Sequence, residues 1–118
     1  MTTWRTVSAL ALALPGAMAA TCYGMPAFKV GGKVFATQSS HAAGALVVRV
    51  PPRDRQRLIA AHPDLCFVTP HYQGHPYLLL RWARTPRAFL RERLEESWLL
   101  AAPPTPGPSR NQRRNTAR

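Results

Sequence analysis

The sequence predicts an α+β fold: a single small domain with an antiparallel sheet of about five strands and helices packed on one face, in the order α-β-β-β-α-β-β-α. Three observations predict it. The chain has 118 residues, the size of one domain. Short β-rich runs are separated by tight turns containing Gly or Pro, which favours antiparallel pairing. Flanking them are stretches with apolar residues at helical spacing.

The elements follow in order. Thr3 can cap a first helix in which Trp4, Val7, Ala11 and Leu14 form a core-facing stripe, and Pro15-Gly16 stops it. Ala27–Val30 and Lys33–Thr37 are strands joined by Gly31-Gly32, a two-residue hairpin signal. Ala45–Val50 is a third strand. Pro51-Pro52 opens a helix that runs through His62 and stops before Pro63. "DLCFVTP" is a short extended piece, "HYQGHP" a turn, and Tyr77–Arg84 the longest strand. Thr85-Pro86 then caps a last helix with a buried stripe of Leu90, Leu94, Trp98 and Ala101, and Arg91 pairs with Glu95 on its wet side. The folded domain spans residues 1–104. Residues 105–118, rich in Pro and polar residues without periodicity, are a disordered basic tail.

The opening apolar stretch, Thr6 to Gly24, has two readings. Val7–Leu14 followed by Ala17-Met18-Ala19 resembles a short signal peptide. Against that, the amino-terminal charge is only Arg5, Thr21 precedes Cys22 where a lipoprotein site wants a small residue, and removal would leave part of the sheet uncovered. The helix reading is preferred. The expectation is a cytoplasmic protein beginning at or near Met1, with no run approaching the ~20 residues of a membrane span.

Net charge is +11, from sixteen basic and five acidic residues. Four basic residues and no acidic ones lie after Pro104, which leaves +7 on the folded part. Such a field favours polyanions: nucleic acid, an anionic membrane or an acidic protein. The competing reading is a coding bias toward Arg that merely keeps the protein soluble.

No enzyme signature emerges, so no catalytic residue is expected. Asp54, Asp64, Glu92, Glu95 and Glu96 sit on helices or at a turn beside arginines, where solvated pairing suits them better than acid–base work. Cys66 is near His71 in sequence but alternates within an apolar run and reads as a core residue. His71 and His75 are four apart in a Gly- and Pro-containing turn rather than on a helix. Two distant cysteines, Cys22 and Cys66, make no metal or disulfide framework, so neither metal nor cofactor is expected.

The basic residues are better organised. Lys29 and Lys33 flank the Gly-Gly turn at a hairpin tip, a plausible wing against a phosphate backbone. Arg49, Arg81 and Arg84 lie on or beside strands; their alkyl stems can equally cover an exposed sheet face. Tyr23, His71 and Tyr72 are the candidates for contact with a ligand or a base, although packing in a turn also explains Tyr72.

Leu14-Pro15-Gly16, the run Tyr23–Ala36 (YGMPAFKVGGKVFA), the turn Pro70–Pro76 (PHYQGHP) and the final helix bearing LEESWLLAAP together resemble the MmcQ/YjbR family. The resemblance runs from about Val7 to Pro103 and places the family's first helix on the opening stretch. It implies a small α+β domain with a frataxin-like (CyaY-like) fold and DNA binding through a double wing. Frataxin-type proteins hold iron on an acidic ridge of the first helix; Met1–Leu14 has no Asp or Glu, so iron handling does not carry over. Where some members have H-x-N-K-x-H-W, this chain has His71 through Tyr77 with the second His shifted and the Lys lost.

The resulting expectation is a monomeric, non-enzymatic domain that binds DNA weakly and largely without sequence preference. Its contacts are with phosphates, through Lys29, Lys33, Arg49, Arg81 and Arg84, and neither a membrane nor a metal is a partner. The alternative is a small-ligand or protein-interaction module with an acidic partner. A concave pocket beside Tyr23 and His71 favours the ligand version; a continuous positive stripe joining the hairpins favours DNA.

Overall fold

The structure, a computed structural model, describes residues 2–103. The basic tail expected at 105–118 lies outside the described residues. Three helices, α1 (Trp4–Leu12), α2 (Pro52–Ala61) and α3 (Arg87–Ala101), accompany six strands. These are β1 (Met18–Cys22), β2 (Met25–Val30), β3 (Lys33–Gln38), β4 (Ala45–Arg49), β5 (Cys66–Phe67) and β6 (Tyr77–Arg81). They form one sheet in the order β1-β2-β3-β4-β6-β5, with every neighbouring pair antiparallel.

The α+β architecture is as expected, with one strand more. β1 (MAATC) has a single β-branched residue, Thr21, and no aromatic, so it carries little of the pattern that marks strands. It forms because Tyr23-Gly24, both at positive φ, folds it back on β2 as a two-residue hairpin at the sheet edge. Two helix ends also differ. Thr3 caps α1, accepting from the Thr6 amide at 3.3 Å. Thr85 does not cap α3: its hydroxyl donates to the Arg81 carbonyl, and α3 starts on the fixed φ of Pro86. The last strand stops at Arg81 and turns through a 3₁₀ segment, Trp82–Arg84, which brings the Trp82 ring edge-on to Trp4 at 5.4 Å. On α3, Arg91 and Glu95 are both exposed and make no ion pair among the described residues; Arg93 pairs with Glu96 at 2.6 Å instead.

All three helices pack on one face. Val7, Leu10 and Ala11 of α1, Leu58 of α2 and Leu90, Leu94 and Ala101 of α3 join Phe28, Leu46, Val48, Leu78 and Leu80 in the main core. The opening stretch is thus divided: its first part, up to Leu12, is a helix packed in this core, and Met18–Cys22 of the same stretch is strand β1 rather than part of that helix. Cys66 lies in this core, and burial pushes its thiol up to about 11 against the opposing pull of the Arg93 charge.

A β-bulge interrupts the helical face. Phe28 pairs with Ala36 and Lys29 with Val34, leaving Phe35 with no partner in β2. Phe35 and Ala36 therefore both reach the main core, while Val34 turns to the opposite face beside Lys29. Pairing between β3 and β4 ends at Ala36 with Val48. Beyond it the Ser97 hydroxyl of α3 is inserted between the strands: it donates to the Phe35 carbonyl and accepts from the Arg49 amide at 2.8 Å. Gly31, at φ 56, leaves the space that Pro103 occupies; a Cβ there would stand 2.7 Å from the proline ring.

The second face carries a smaller core. Ala45, Val47, Leu79 and Tyr72 are buried there, under Phe67, Val68 and Tyr77. The cover is the segment from Val68 to Pro76, and Arg55 of α2 ties it down. One guanidinium nitrogen donates to the Tyr72, His75 and Tyr77 carbonyls and the other to Gln73 at 2.9 Å.

Candidate functional site on the second face of the sheet

The covering segment reaches only part of this face. Beside it a cleft of about 280 Å³ opens over β3 and β4. Its floor follows from the bulge. Val34 and Thr37 point into it, flanked by Arg49 and Tyr77, which are cross-strand partners on the same face. One wall is the 39–42 turn, in which Ser39 accepts from the His41 and Ala42 amides and shares a hydrogen bond with the Tyr72 hydroxyl at 3.0 Å. The His41 ring stacks on His71 with centroids 3.7 Å apart. The other wall includes Cys22 and Tyr23 at the β1–β2 turn.

Tyr23 is unusual on two counts. It is the described non-glycine residue with positive φ, 50°, a region that costs an L side chain of this size energy. Its ring is 92% exposed, although an aromatic normally seeks burial.

The charges are segregated. All five carboxylates lie on α2, on α3 or at Asp64 in the turn after α2, and none lines the cleft. On α3 three arginines face three glutamates, so that helix cancels itself. Among the described residues the ion pairs are Arg57–Asp54 and Arg93–Glu96. Lys29, Lys33, Arg49, Arg81 and Arg84 thus have no carboxylate partner among the described residues.

The structure divides the expected cationic residues. Lys29 stands opposite Val34 on the cleft side, whereas Lys33 stands opposite Val30 and leans to the helical side, so the two lysines straddle the hairpin. Arg49 lies one strand beyond Val34, donates from Nε to the Val34 carbonyl at 2.9 Å and sits 5.9 Å over the Tyr77 ring. Arg81 lies on the same face at the far end of β6, stacked on Phe67 at 4.2 Å. It shares a shallow groove with Arg84. Four residues along β4 separate the two cationic ends, roughly 13 Å at ~3.3 Å per residue. The positive charge thus forms two poles, with the covered core of Val47 and Leu79 between them, rather than an unbroken stripe.

Of the candidate contact residues, Tyr23 and His71 reach the cleft exposed. Tyr72 forms part of its wall but is buried, its hydroxyl taken by Ser39. The sequence reading missed His41, Arg55 and Ser97. His41 sits in a loop of small residues with no periodicity, and Arg55 is one of three arginines on one helix, so neither carries a local signal. Among the described residues no group of three His, Cys, Asp or Glu side chains is placed to hold a metal, and no helix is long and apolar enough to cross a membrane.

Fold and site together define a class: a small α+β domain whose antiparallel sheet is closed by helices on one side and presents a cleft on the other. Within that class the chain belongs to the YjbR family, whose family model matches residues 12–100. The resemblance carried by the Leu-Pro-Gly turn and the Tyr23–Ala36 run is borne out. Uncharacterised proteins of Mycobacterium tuberculosis and Mycobacterium bovis are 44% identical over 46 residues, which is 39% of this chain and 36% of theirs. The match thus spans about a third of the length of these curated relatives. The fold is shared with the crystal structure of a Deinococcus radiodurans protein of the DUF419 domain family, at a TM-score of 0.70 and 22% identity over 85% of this chain and 78% of that one.

Proposed function

We propose that the domain is a non-enzymatic nucleic-acid-binding module that holds its ligand by the phosphates across the second face of the sheet. The observation that carries this reading is the charge segregation: every carboxylate lies on or beside the helices, and three cations without a carboxylate partner among the described residues, Lys29, Arg49 and Arg81, share the other face. Phosphate contacts by side chains on strands give affinity without base reading, so binding is weak and largely independent of sequence.

The test is a salt titration on two unrelated DNA sequences. Dissociation constants on the order of 10⁻⁴–10⁻⁶ M at physiological salt are expected for contact of this kind. With roughly four phosphates met, log K falls with log salt at a slope of about −3.6. Replacing Lys29 and Lys33 together by Ala reduces that slope by about 1–2. A drop near 1 assigns the contact to Lys29 alone, in keeping with the two lysines facing opposite ways. No binding at low salt by the full chain ends the reading.

A second reading is small-ligand binding, favoured by the cleft beside Tyr23 and His71. Its lining holds Arg49, three imidazoles and no carboxylate, a set suited to an anion with a flat ring.

A further inference from the structure

We propose that the cleft holds one unpaired nucleotide, its base laid against Tyr23 and the His41–His71 pair and its phosphate at the Arg49 end. This rests on reading the second face as a nucleic-acid surface, and it assigns to that face a preference for single strands over duplex.

Four observations converge. The cleft, about 280 Å³, lies just below the range of drug-sized pockets, which leaves room for one ring system and its substituent. Its two ends differ in chemistry. Tyr23, His41 and His71 offer aromatic faces where β3 ends near Thr37 and Gln38; Arg49 and Lys29 flank Val34 three residues away. The bulge shortens that step: Val34 faces Lys29 and Thr37 faces Ala27, two residues apart on β2, so the separation is roughly 7 Å along the sheet, still the length of a base–sugar–phosphate unit rather than of a bare anion. Only Nε of Arg49 is engaged, by the Val34 carbonyl, so its two terminal nitrogens have no protein acceptor among the described residues and can meet a phosphate oxygen. Finally, Tyr23 holds its ring in solvent on a strained backbone, and a stacked base would cover it.

A paired base cannot enter such a cleft without leaving the helix stack, which costs energy; an unpaired one enters freely. Gln38 supplies an amide, and the Thr37 hydroxyl, which donates to the Gln38 carbonyl at 3.0 Å, keeps only acceptor lone pairs; so small a polar set gives no strong base preference. The nucleotide can come from a single strand or be free in solution, and the experiment separates these sources.

The test uses fluorescence anisotropy with the full chain, a labelled single-stranded DNA and the corresponding duplex at one salt concentration. The single strand is expected to bind more tightly. Tyr23→Gly is the informative variant: glycine suits the positive φ better than tyrosine, so the fold is kept while the ring is lost. It is expected to weaken the single strand by roughly 5- to 100-fold, the range that base–aromatic stacking supports, and to leave the duplex unchanged. Tyr23→Phe, which keeps the ring, stays within about 2-fold on the same argument. Competition by a nucleoside monophosphate but not by inorganic phosphate shows that a free nucleotide suffices; without such competition, a Tyr23→Gly effect on the strand alone places the contact in nucleic acid. Equal wild-type affinity for strand and duplex, or a Tyr23→Gly variant that binds the strand as wild type does, overturns the proposal while the phosphate-binding reading stands. Failure of both ligands to bind ends both.

Discussion

On its helical side the sheet buries Leu78 and Leu80 of β6 beneath three helices, whereas on the other side the same strand places Tyr77 and Leu79 under a single loop held by Arg55. Both faces exclude water at their centre, but by different means. The helical side is closed by aliphatic contact spread over many residues. The second side is closed by hydrogen bonds from one arginine and one serine, and only as far as the covering segment reaches. A sheet covered unequally has its stability on one face and its accessible chemistry on the other, which lets binding residues change without unfolding the domain.

Substitutions can break or sharpen that contrast. The largest effect is expected from Leu94→Ala in the fully buried stripe of α3, about 2–5 kcal/mol by urea denaturation. Leu79→Ala, equally buried on the second face, should fall toward the low end of that range because the loop above it can settle into the space. Equal losses would make the loop as rigid a cover as the helix.

The next effect is a pH dependence specific to the helical side. The Cys66 thiol, raised from 9.0 to about 11 in the fold, ionises earlier in the unfolded chain. Its stabilising contribution is intact below pH 9 and lost as pH rises toward 11, roughly 2–3 kcal/mol at ~1.4 kcal/mol per pH unit. Stability profiles of wild type and Cys66→Ala over that window should converge as pH rises; parallel curves would contradict the assignment.

Ser97→Ala removes the hydroxyl that bridges β3 and β4 and leaves the Phe35 carbonyl and Arg49 amide without it. A loss of about 1–3 kcal/mol is expected. Faster hydrogen exchange at the Arg49 amide checks that the cause is local. The smallest effect on stability belongs to Lys29→Ala, within about 0.5 kcal/mol, because the side chain makes no ion pair among the described residues. A melting curve shared with wild type and a reduced salt slope would place Lys29 in binding alone.

Much of the helical side was legible in the sequence. Val7 and Ala11, and Leu90, Leu94 and Ala101, fall at helical spacing, and each pair of stripes ended up buried in the main core. Alternation in β4 and β6 also assigned faces correctly, with Leu46 and Val48 opposite Val47, and Leu78 and Leu80 opposite Leu79. The second side was legible only in its residue types. Lys29, Arg49, Tyr23 and His71 stood out as binding candidates, but their grouping depends on the bulge at Phe35, which turns Val34 into the cleft, and on contacts from distant segments. Arg55 reaches carbonyls some twenty positions away and His41 finds His71 across the loop gap. Such tertiary contacts have no period. Edge strand β1 escaped notice for a related reason: alanines carry little preference for a strand, and only the Tyr23-Gly24 turn marks the reversal.

The contact between Gly31 and Pro103 has a consequence for everything downstream of it. Because the glycine makes room for the proline ring, the last described residue is seated on the hairpin that carries both of the chain's lysines. Whatever path the polypeptide takes from there, its covalent starting point is this hairpin, and the sequence that follows brings Arg110, Arg113, Arg114 and Arg118. A larger residue at position 31 would therefore push Pro103 off the lysine hairpin without touching a single charge.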